Sequence, residues 1–194
     1  MSRRHWTQHL AGATRAPAGQ GSATPPKTRR PATTGLRGPR PSRADWERLD
    51  ALVPDFQQLD IDLMGKPRMT RRDQWAKRPC VLRYRAQCDH LRLAGLRLPM
   101  RYVAVVFLAM PPSWSIAERR RQAGQPHLSK PDKDNCEKLL LDALAPSDAH
   151  LWDGRLQKRW AWHGRLLLLR APIDEANLDR LILEHAPREP DHVR

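Results

Sequence analysis

The spacing of apolar residues along the chain predicts helices. One stripe lies in residues 136–144, where apolar side chains recur at intervals of three and four: Cys136, Leu139, Leu140, Ala143 and Leu144. Such a stripe covers one helical face and must pack against another element. The same spacing predicts helices over residues 45–56, 79–95 and 178–186. Ser115 and Glu118 have the pattern of a capping box, which begins a further short helix.

Other stretches have the pattern of β-strands. Residues 102–110 are apolar throughout and end at two prolines, as expected of a central strand buried on both faces. Over residues 59–63, apolar residues alternate with acids, which predicts an edge strand whose acids are structural. Residues 148–158 and 159–170 predict two more strand segments. The mixture predicts an α+β fold: a small mixed α/β single domain with a central sheet and packed helices.

The composition divides the chain of 194 residues into three parts. Residues 1–44 are rich in Pro, Gly, Ser and Thr, contain no acid, and lack apolar periodicity, which is typical of a disordered basic arm. Residues 45–186 form the predicted domain, and residues 187–194 form a polar tail. The arm either adds non-specific DNA affinity, or is a neutral solubilising extension or the product of a misassigned start codon.

The net charge of +14 indicates a polyanionic partner, with nucleic acid foremost. The longest apolar run is far shorter than the roughly 20 residues that span a bilayer, and no apolar segment of a secretory signal follows the basic start. The three cysteines, Cys80, Cys88 and Cys136, lack metal-ligand spacing. We expect them to be buried, reduced thiols, and the protein to be cytoplasmic, without a membrane partner.

Basic residues before the acidic stretch are candidates for DNA contact. They lie in the loop after residue 65, in the short helix after Ser115, and next to the acids: Lys66, Arg68, Arg71, Arg72, Lys77, Arg78, Arg119, Arg120, Arg121 and Lys130. Basic residues interleaved with an aromatic residue, here Trp75, are typical of a protein surface that contacts phosphates. The alternative is an ordinary solvated basic loop.

Two acids stand at the entrance of the helix that carries the apolar stripe. Pro131 favours an extended preceding residue, and alternate side chains of an extended segment share a face, so we expect Asp132 and Asp134 to point the same way. Lys138 follows one helical turn later. Two carboxylates beside a lysine are a plausible site for a divalent metal. The alternatives are a capping box of Asp134 with Glu137, and an ordinary Lys138–Asp142 ion pair.

The charged residues around this helix form a composite motif. It consists of Lys130-Pro131-Asp132-Lys133-Asp134-Asn135, then Lys138, then Asp142-Ala143-Leu144, then Asp148-Ala149-His150-Leu151, and finally Lys158. This motif, with the upstream Gly65-Lys66-Pro67-Arg68 loop, resembles the RusA family of phage and prophage Holliday junction resolvases. The resemblance covers about residues 58–170. It implies a RusA-like fold and a homodimer that binds four-way DNA junctions and nicks two opposed strands with magnesium.

The resemblance also implies roles for individual residues. Asp132 and Asp134 correspond to metal-binding acids and Lys138 to the catalytic lysine. A local match assigns the third metal ligand to Asp148, whereas counting a fixed distance from Asp134 favours Asp153; we prefer Asp148, because turns vary in length more readily than strands change register. Oxygen ligands alone suit Mg²⁺, for which Mn²⁺ can substitute, and no small-molecule cofactor is expected beyond the metal.

These observations predict a magnesium-dependent endodeoxyribonuclease that resolves Holliday junctions during recombination or repair of phage or prophage DNA in a bacterial cell. One alternative is a structure-selective nuclease that acts mainly on other branched DNA, such as replication forks. The other alternative is a basic DNA-binding protein without catalytic activity, in which the acids serve only as caps and ion pairs.

Overall fold

The computed structural model describes residues 41–75, 78–145 and 147–190. The predicted arm up to residue 40, the last four residues of the predicted tail, and Lys77 lie outside the described residues. The helices are α1 (Arg43–Asp50), α2 (Pro79–Leu93), α3 (Ile116–Gln122), α4 (Lys133–Leu144) and α5 (Glu175–His185). The strands are β1 (Phe56–Asp60), β2 (Arg101–Ala109), β3 (Asp153–Ala161) and β4 (Arg165–Arg170). Short 3-10 turns cover Arg71–Gln74 and Asp148–His150.

The four strands form one mixed sheet in the order β1-β4-β2-β3. β2 is parallel to β3 and antiparallel to β4, while β1 pairs with β4 at an edge. β3 and β4 follow each other in sequence but do not pair, because β2 lies between them. The predicted α+β fold and the central strand are therefore confirmed. The edge strand predicted over residues 59–63 is β1, which covers Phe56–Asp60 and ends before Ile61.

The connection between β3 and β4 depends on a glycine. Gly164 accepts a hydrogen bond from the Ile61 amide at 3.1 Å. A Cβ atom at Gly164 would come within 2.5 Å of the Ile61 carbonyl oxygen and 2.6 Å of the Asp62 Cα. Because main-chain atoms cannot move aside as a flexible side chain does, only glycine fits this turn without displacing the segment after β1.

The central strand has one buried face on each side of the sheet. Val103, Val105 and Phe107 pack against α5 through Leu178 and Ile182. The intervening residues of β2 point to the opposite face and join a core that includes α2 and α4. Both faces are covered, so nearly every position of β2 is buried, and its sequence is continuously apolar instead of alternating.

The apolar stripes predicted for α2 and α4 are buried, whereas α1 has no buried residue and Leu49 is exposed. In α4 the buried residues are Cys136, Leu139, Leu140 and Ala143, and in α2 they are Val81, Tyr84, Cys88 and Leu91. Cys88 and Cys136 are buried free thiols, as expected, whereas Cys80 is only partly buried. No helix in the described ranges is both long enough and apolar enough to cross a membrane.

Other predicted elements also begin or end elsewhere. The helix predicted over 45–56 is α1, which starts at Arg43 because Ser42 and Asp45 form a capping box, and which ends at Asp50. The strand segment predicted from Asp148 starts only at Asp153. A 3-10 turn replaces its first part, since the Ser147 hydroxyl accepts a hydrogen bond from the Ala149 amide and competes with extended pairing.

We predict that Leu140→Ala lowers the free energy of unfolding by about 2–5 kcal/mol, because it leaves a cavity under α4. Leu140 is fully buried, whereas Leu183 on α5 is 77% exposed and supplies a matched control. Leu183→Ala should change stability by no more than about 0.5 kcal/mol. Urea unfolding followed by circular dichroism measures both. Equal losses would show that the α4 stripe is not part of the core.

Candidate active site

The two motif acids lie in the first turn of α4. Asp132 is the N-cap residue with extended backbone, at φ −66° and ψ 147°, but its carboxylate makes no capping hydrogen bond. Asp134 already belongs to the helix. The expected extended segment carrying both acids is therefore wrong, because the helix begins at Lys133, between them. Both side chains are exposed, and the Asp132 carboxylate makes no ion pair within the described residues.

The two structural alternatives for these residues are also wrong. Glu137 does not complete a capping box, because its carboxylate accepts a hydrogen bond from the Tyr102 hydroxyl at 2.8 Å. Asp142 does not pair with Lys138. Its carboxylate instead lies 2.5 Å from the Lys66 ammonium and accepts a hydrogen bond from the Tyr84 hydroxyl.

Lys138 pairs with Asp134 instead, with 2.8 Å between the ammonium and the carboxylate. The hydrogen bond from Lys138 lowers the pKa of Asp134, and the same bond raises the pKa of Lys138. Both groups are therefore charged at neutral pH. A lysine that holds its proton suits electrostatic stabilisation of an anion and not proton abstraction.

Lys158 on β3 holds the turn that precedes the acids. Its ammonium donates hydrogen bonds to the Ser129 carbonyl at 2.7 Å and to the Pro131 carbonyl at 2.6 Å. Its side chain is half-buried, and its main-chain carbonyl accepts a hydrogen bond from the His127 amide at 2.9 Å. Strand β3, at the other edge of the sheet, is thereby tied to the segment that leads into α4.

Cys136 lies directly behind the acids. Burial raises the pKa of the Cys136 thiol to about 11, with Lys158 opposing the shift and Asp132 and Asp134 adding to it. The thiol itself stays protonated and is a packing residue.

The loop after β1 passes close to the start of α4. The Lys66 amide donates a hydrogen bond to the Asn135 carbonyl at 2.9 Å. A Cβ atom at Gly65 would lie 2.8 Å from the Pro131 Cβ and 3.1 Å from the Asn135 Cβ. A side chain at position 65 would therefore push the loop away from the acids, which explains the glycine.

The third acid is not grouped with the first two. Asp148 is exposed in the 3-10 turn after α4, close enough to His150 to affect its pKa. Asp153 forms an ion pair with Arg101, whose Nε and Nη2 atoms lie 3.0 and 2.9 Å from one carboxylate oxygen. Among the described residues, no three Asp, Glu, His or Cys side chains are close enough to hold one metal ion.

Residues 66–156 match the family model of the endodeoxyribonuclease RusA. This region of the chain is therefore similar to a RusA-family endodeoxyribonuclease domain. No curated protein matches the chain. The matched region runs from the loop that contacts α4 to the middle of β3, so it includes Asp132, Asp134, Lys138 and both candidates for the third acid.

Several basic residues predicted to contact DNA instead bind acids or carbonyl groups of the same chain. Lys66 pairs with Asp142, and Arg78 forms a bidentate ion pair with Asp73. The three arginines of α3 bind a carbonyl or an acid: Arg119 the Pro111 carbonyl, Arg120 Glu189, and Arg121 Glu118. Four others are exposed and make no ion pair within the described ranges: Arg68, Arg71, Arg72 and Lys130.

The exposed arginines Arg71 and Arg72 lie on a braced 3-10 turn. The Asp73 carboxylate accepts hydrogen bonds from the Thr70 amide at 2.5 Å and the Thr70 hydroxyl at 3.0 Å. The hydrogen bonds from the Arg78 guanidinium are the main cause that lowers the pKa of Asp73 to about 2. The hydrogen bond from the Thr70 amide is the next cause. Trp75 follows the turn and is 86% exposed. A braced turn thus presents two arginines and an indole to solvent.

Sequence reasoning gave no individual role to Lys158 or Tyr102. Lys158 was part of the motif, and its spacing from Pro131 carries no signal that the two residues are in contact. Tyr102 is an apolar position by pattern, although its hydroxyl fixes Glu137. Both contacts join elements distant in sequence, so only the folded chain shows them.

We predict that Lys158→Met loosens the turn before α4. The substitution leaves the Ser129 and Pro131 carbonyls without their charge-assisted hydrogen bonds, each worth about 1.5–3 kcal/mol. Hydrogen-exchange mass spectrometry should show faster exchange over residues 129–136 and unchanged exchange in β4. Lys158→Arg should retain part of the protection. Unchanged exchange over 129–136 in Lys158→Met would mean that the ammonium does not hold the turn.

Proposed function

We propose that this chain is a magnesium-dependent endodeoxyribonuclease that resolves Holliday junctions by paired nicking of opposed strands. The observation that carries the proposal is the exposed Asp132–Asp134 pair, not used for helix capping, at the start of α4, within the region that matches the RusA family model. We place the activity in the bacterial cytoplasm, in recombination or repair of phage or prophage DNA.

The donor set at the start of α4 fits magnesium. Asp132 and Asp134 offer carboxylate oxygens at an exposed site, and magnesium in proteins is commonly held by one or two carboxylates together with waters and substrate phosphates. The Cys136 thiol is buried and its raised pKa keeps it protonated, so it is no competing soft ligand. When bound, the ion would supply positive charge to stabilise the attacked phosphate.

The side chains around the acids would orient DNA and stabilise charge. Lys138 is half exposed beside Asp134 and is positioned to act on an anion that approaches the pair. In the proposed reaction it stabilises negative charge on the phosphate or on the leaving oxygen. Lys158 holds the Pro131 carbonyl and thereby fixes the backbone that presents Asp132. Exposed basic side chains would contact the DNA backbone, namely those of Arg68, Arg71, Arg72 and Lys130.

The third carboxylate connects the proposed site to the proposed homodimer. Asp132 precedes α4 and Asp148 follows its C-terminal end, and a helix of 12 residues is about 18 Å long. We infer that a second copy of the chain brings its own Asp148 to the Asp132–Asp134 pair. A twofold dimer would then carry two such sites, matching the near symmetry of a four-way junction.

We predict that Asp132→Asn and Asp134→Asn abolish cleavage of a labelled four-way junction in Mg²⁺ while leaving binding intact or tighter. Each substitution removes a metal ligand and also a negative charge that repels DNA phosphates. Asp89→Asn is the matched control, because Asp89 is an exposed acid on α2, away from the start of α4, and should remain fully active.

The outcomes of that assay separate the alternatives. Full cleavage by either substituted protein would remove these acids from the site. Wild-type cleavage of forks in preference to four-way junctions would favour the structure-selective nuclease. Junction binding without cleavage by the wild type, with and without Mg²⁺ or Mn²⁺, would favour the non-catalytic DNA-binding protein.

We predict that Asp148→Asn loses cleavage and that Asp153→Asn keeps most of it. Asp153 is already neutralised by Arg101, whereas the Asp148 carboxylate makes no ion pair among the described residues. Both proteins are assayed side by side on the same junction. The reverse result would assign the third ligand to Asp153.

A mixing experiment tests the dimer separately. If the site combines residues from two copies, mixed dimers of Asp132→Asn and Asp148→Asn contain one site that carries both substitutions and one site that carries neither. Mixing the two inactive proteins should therefore restore cleavage. Because each mixed dimer has one intact site, it should nick one strand of the junction. No recovery under conditions in which the subunits exchange would place all ligands on one copy.

A further inference from the structure

A basic pocket lies on the edge strand β3 beside the candidate active site. It has a volume of about 320 Å³ and lies between residues 126–128 and the middle of β3. Four cationic side chains line it, Lys133, Arg155, Lys158 and Arg159, and no acid does. None of these four was among the basic residues that the sequence predicted to contact DNA. An anion is the natural occupant of such a lining.

The pocket adjoins the acids through two of its residues. Lys133 stands between Asp132 and Asp134 in the first turn of α4. Lys158 lies 2.6 Å from the carbonyl of Pro131, the residue just before Asp132. A group bound between these lysines would therefore lie next to whatever is bound at the acids.

The charges of the pocket are only partly neutralised. Arg155 forms an ion pair with Glu175, and Arg159 lies 3.8 Å from Asp179, so acids of α5 face both arginines. Lys158 is bound to carbonyl oxygens, which leave its charge in place. Lys133 is exposed and makes no ion pair within the described parts of the chain. The two lysines therefore supply the uncompensated positive charge.

We propose that this pocket binds a backbone phosphate of the cleaved DNA strand, adjacent to the phosphodiester at the acids. Lys133 and Lys158 contact the phosphate, and the arginine side chains form the outer wall. A lysine ammonium serves as a point charge for phosphate oxygens. This inference rests on the proposed nuclease function. It adds a second anchoring point that fixes the register of the strand at the site.

The test replaces single phosphates of the cleaved strand by neutral methylphosphonates and measures junction binding by the full chain without divalent metal. For the wild type, one position flanking the cleavage site should lose about tenfold in affinity. Lys133→Gln should bind the unmodified junction about tenfold more weakly and show no further loss at that position. Lys133→Arg should restore the wild-type profile.

A salt titration and a matched variant complete the test. Losing one phosphate contact should lower the slope of log affinity against log salt by about 0.9 for Lys133→Gln. Arg48→Gln removes the same charge from α1, which lies at the opposite end of α4, where Trp46 stacks on His150 at 4.0 Å. That control should keep the wild-type slope and methylphosphonate profile.

These measurements distinguish a failure of the pocket proposal from a failure of the nuclease proposal. A wild-type chain that does not bind the junction would overturn both the nuclease proposal and the pocket. A wild type that binds and cleaves, with a Lys133→Gln profile identical to its own, would overturn the pocket alone. A sensitive position far from the cleavage site would also overturn the pocket, because the phosphate it binds must adjoin the acids.

Discussion

The burial of one face of α4 is the constraint on which the candidate active site depends. Cys136, Leu139 and Leu140 are fully buried, and removing a leucine side chain from water stabilises a fold by about 1.5–3 kcal/mol. Once this face is fixed in the core, the rotation of the helix is fixed too. Asp134 and Lys138, four residues apart, must then point to solvent together.

Polar contacts place the start of α4 in relation to the other elements. The ammonium of Lys158 ties strand β3 to the turn before Asp132. The Lys66 amide ties the loop after β1 to Asn135. Further along the helix, the Tyr102 hydroxyl binds Glu137. Each contact joins a different part of the chain to one short segment. The acids are thus held by a rigid support while their carboxylates stay exposed, as a metal or phosphate site requires.

The basic residues of the domain divide by their partners. Arg78 and Lys66 bind acids of the same chain and hold the fold together. Arg71, Arg72 and Lys133 are exposed with no such partner among the described residues, so their charge is not neutralised by an acid there. A count of lysines and arginines cannot make this distinction, because it depends on which acid each one meets.

The sequence by itself determined the local features of this protein. The stripe of α4, the buried strand β2 and the order of acids and lysine around α4 follow from side-chain spacing, because helices and strands have fixed periods. The start of α4 between the two acids was missed, since the competition between capping and extended backbone is decided by neighbouring contacts. Contacts between distant segments, such as Lys158 with Pro131, and the separation of Asp148 from Asp132 were decided only by the tertiary structure. Spacing along a chain fixes which side chains share a face, but only packing fixes which faces meet.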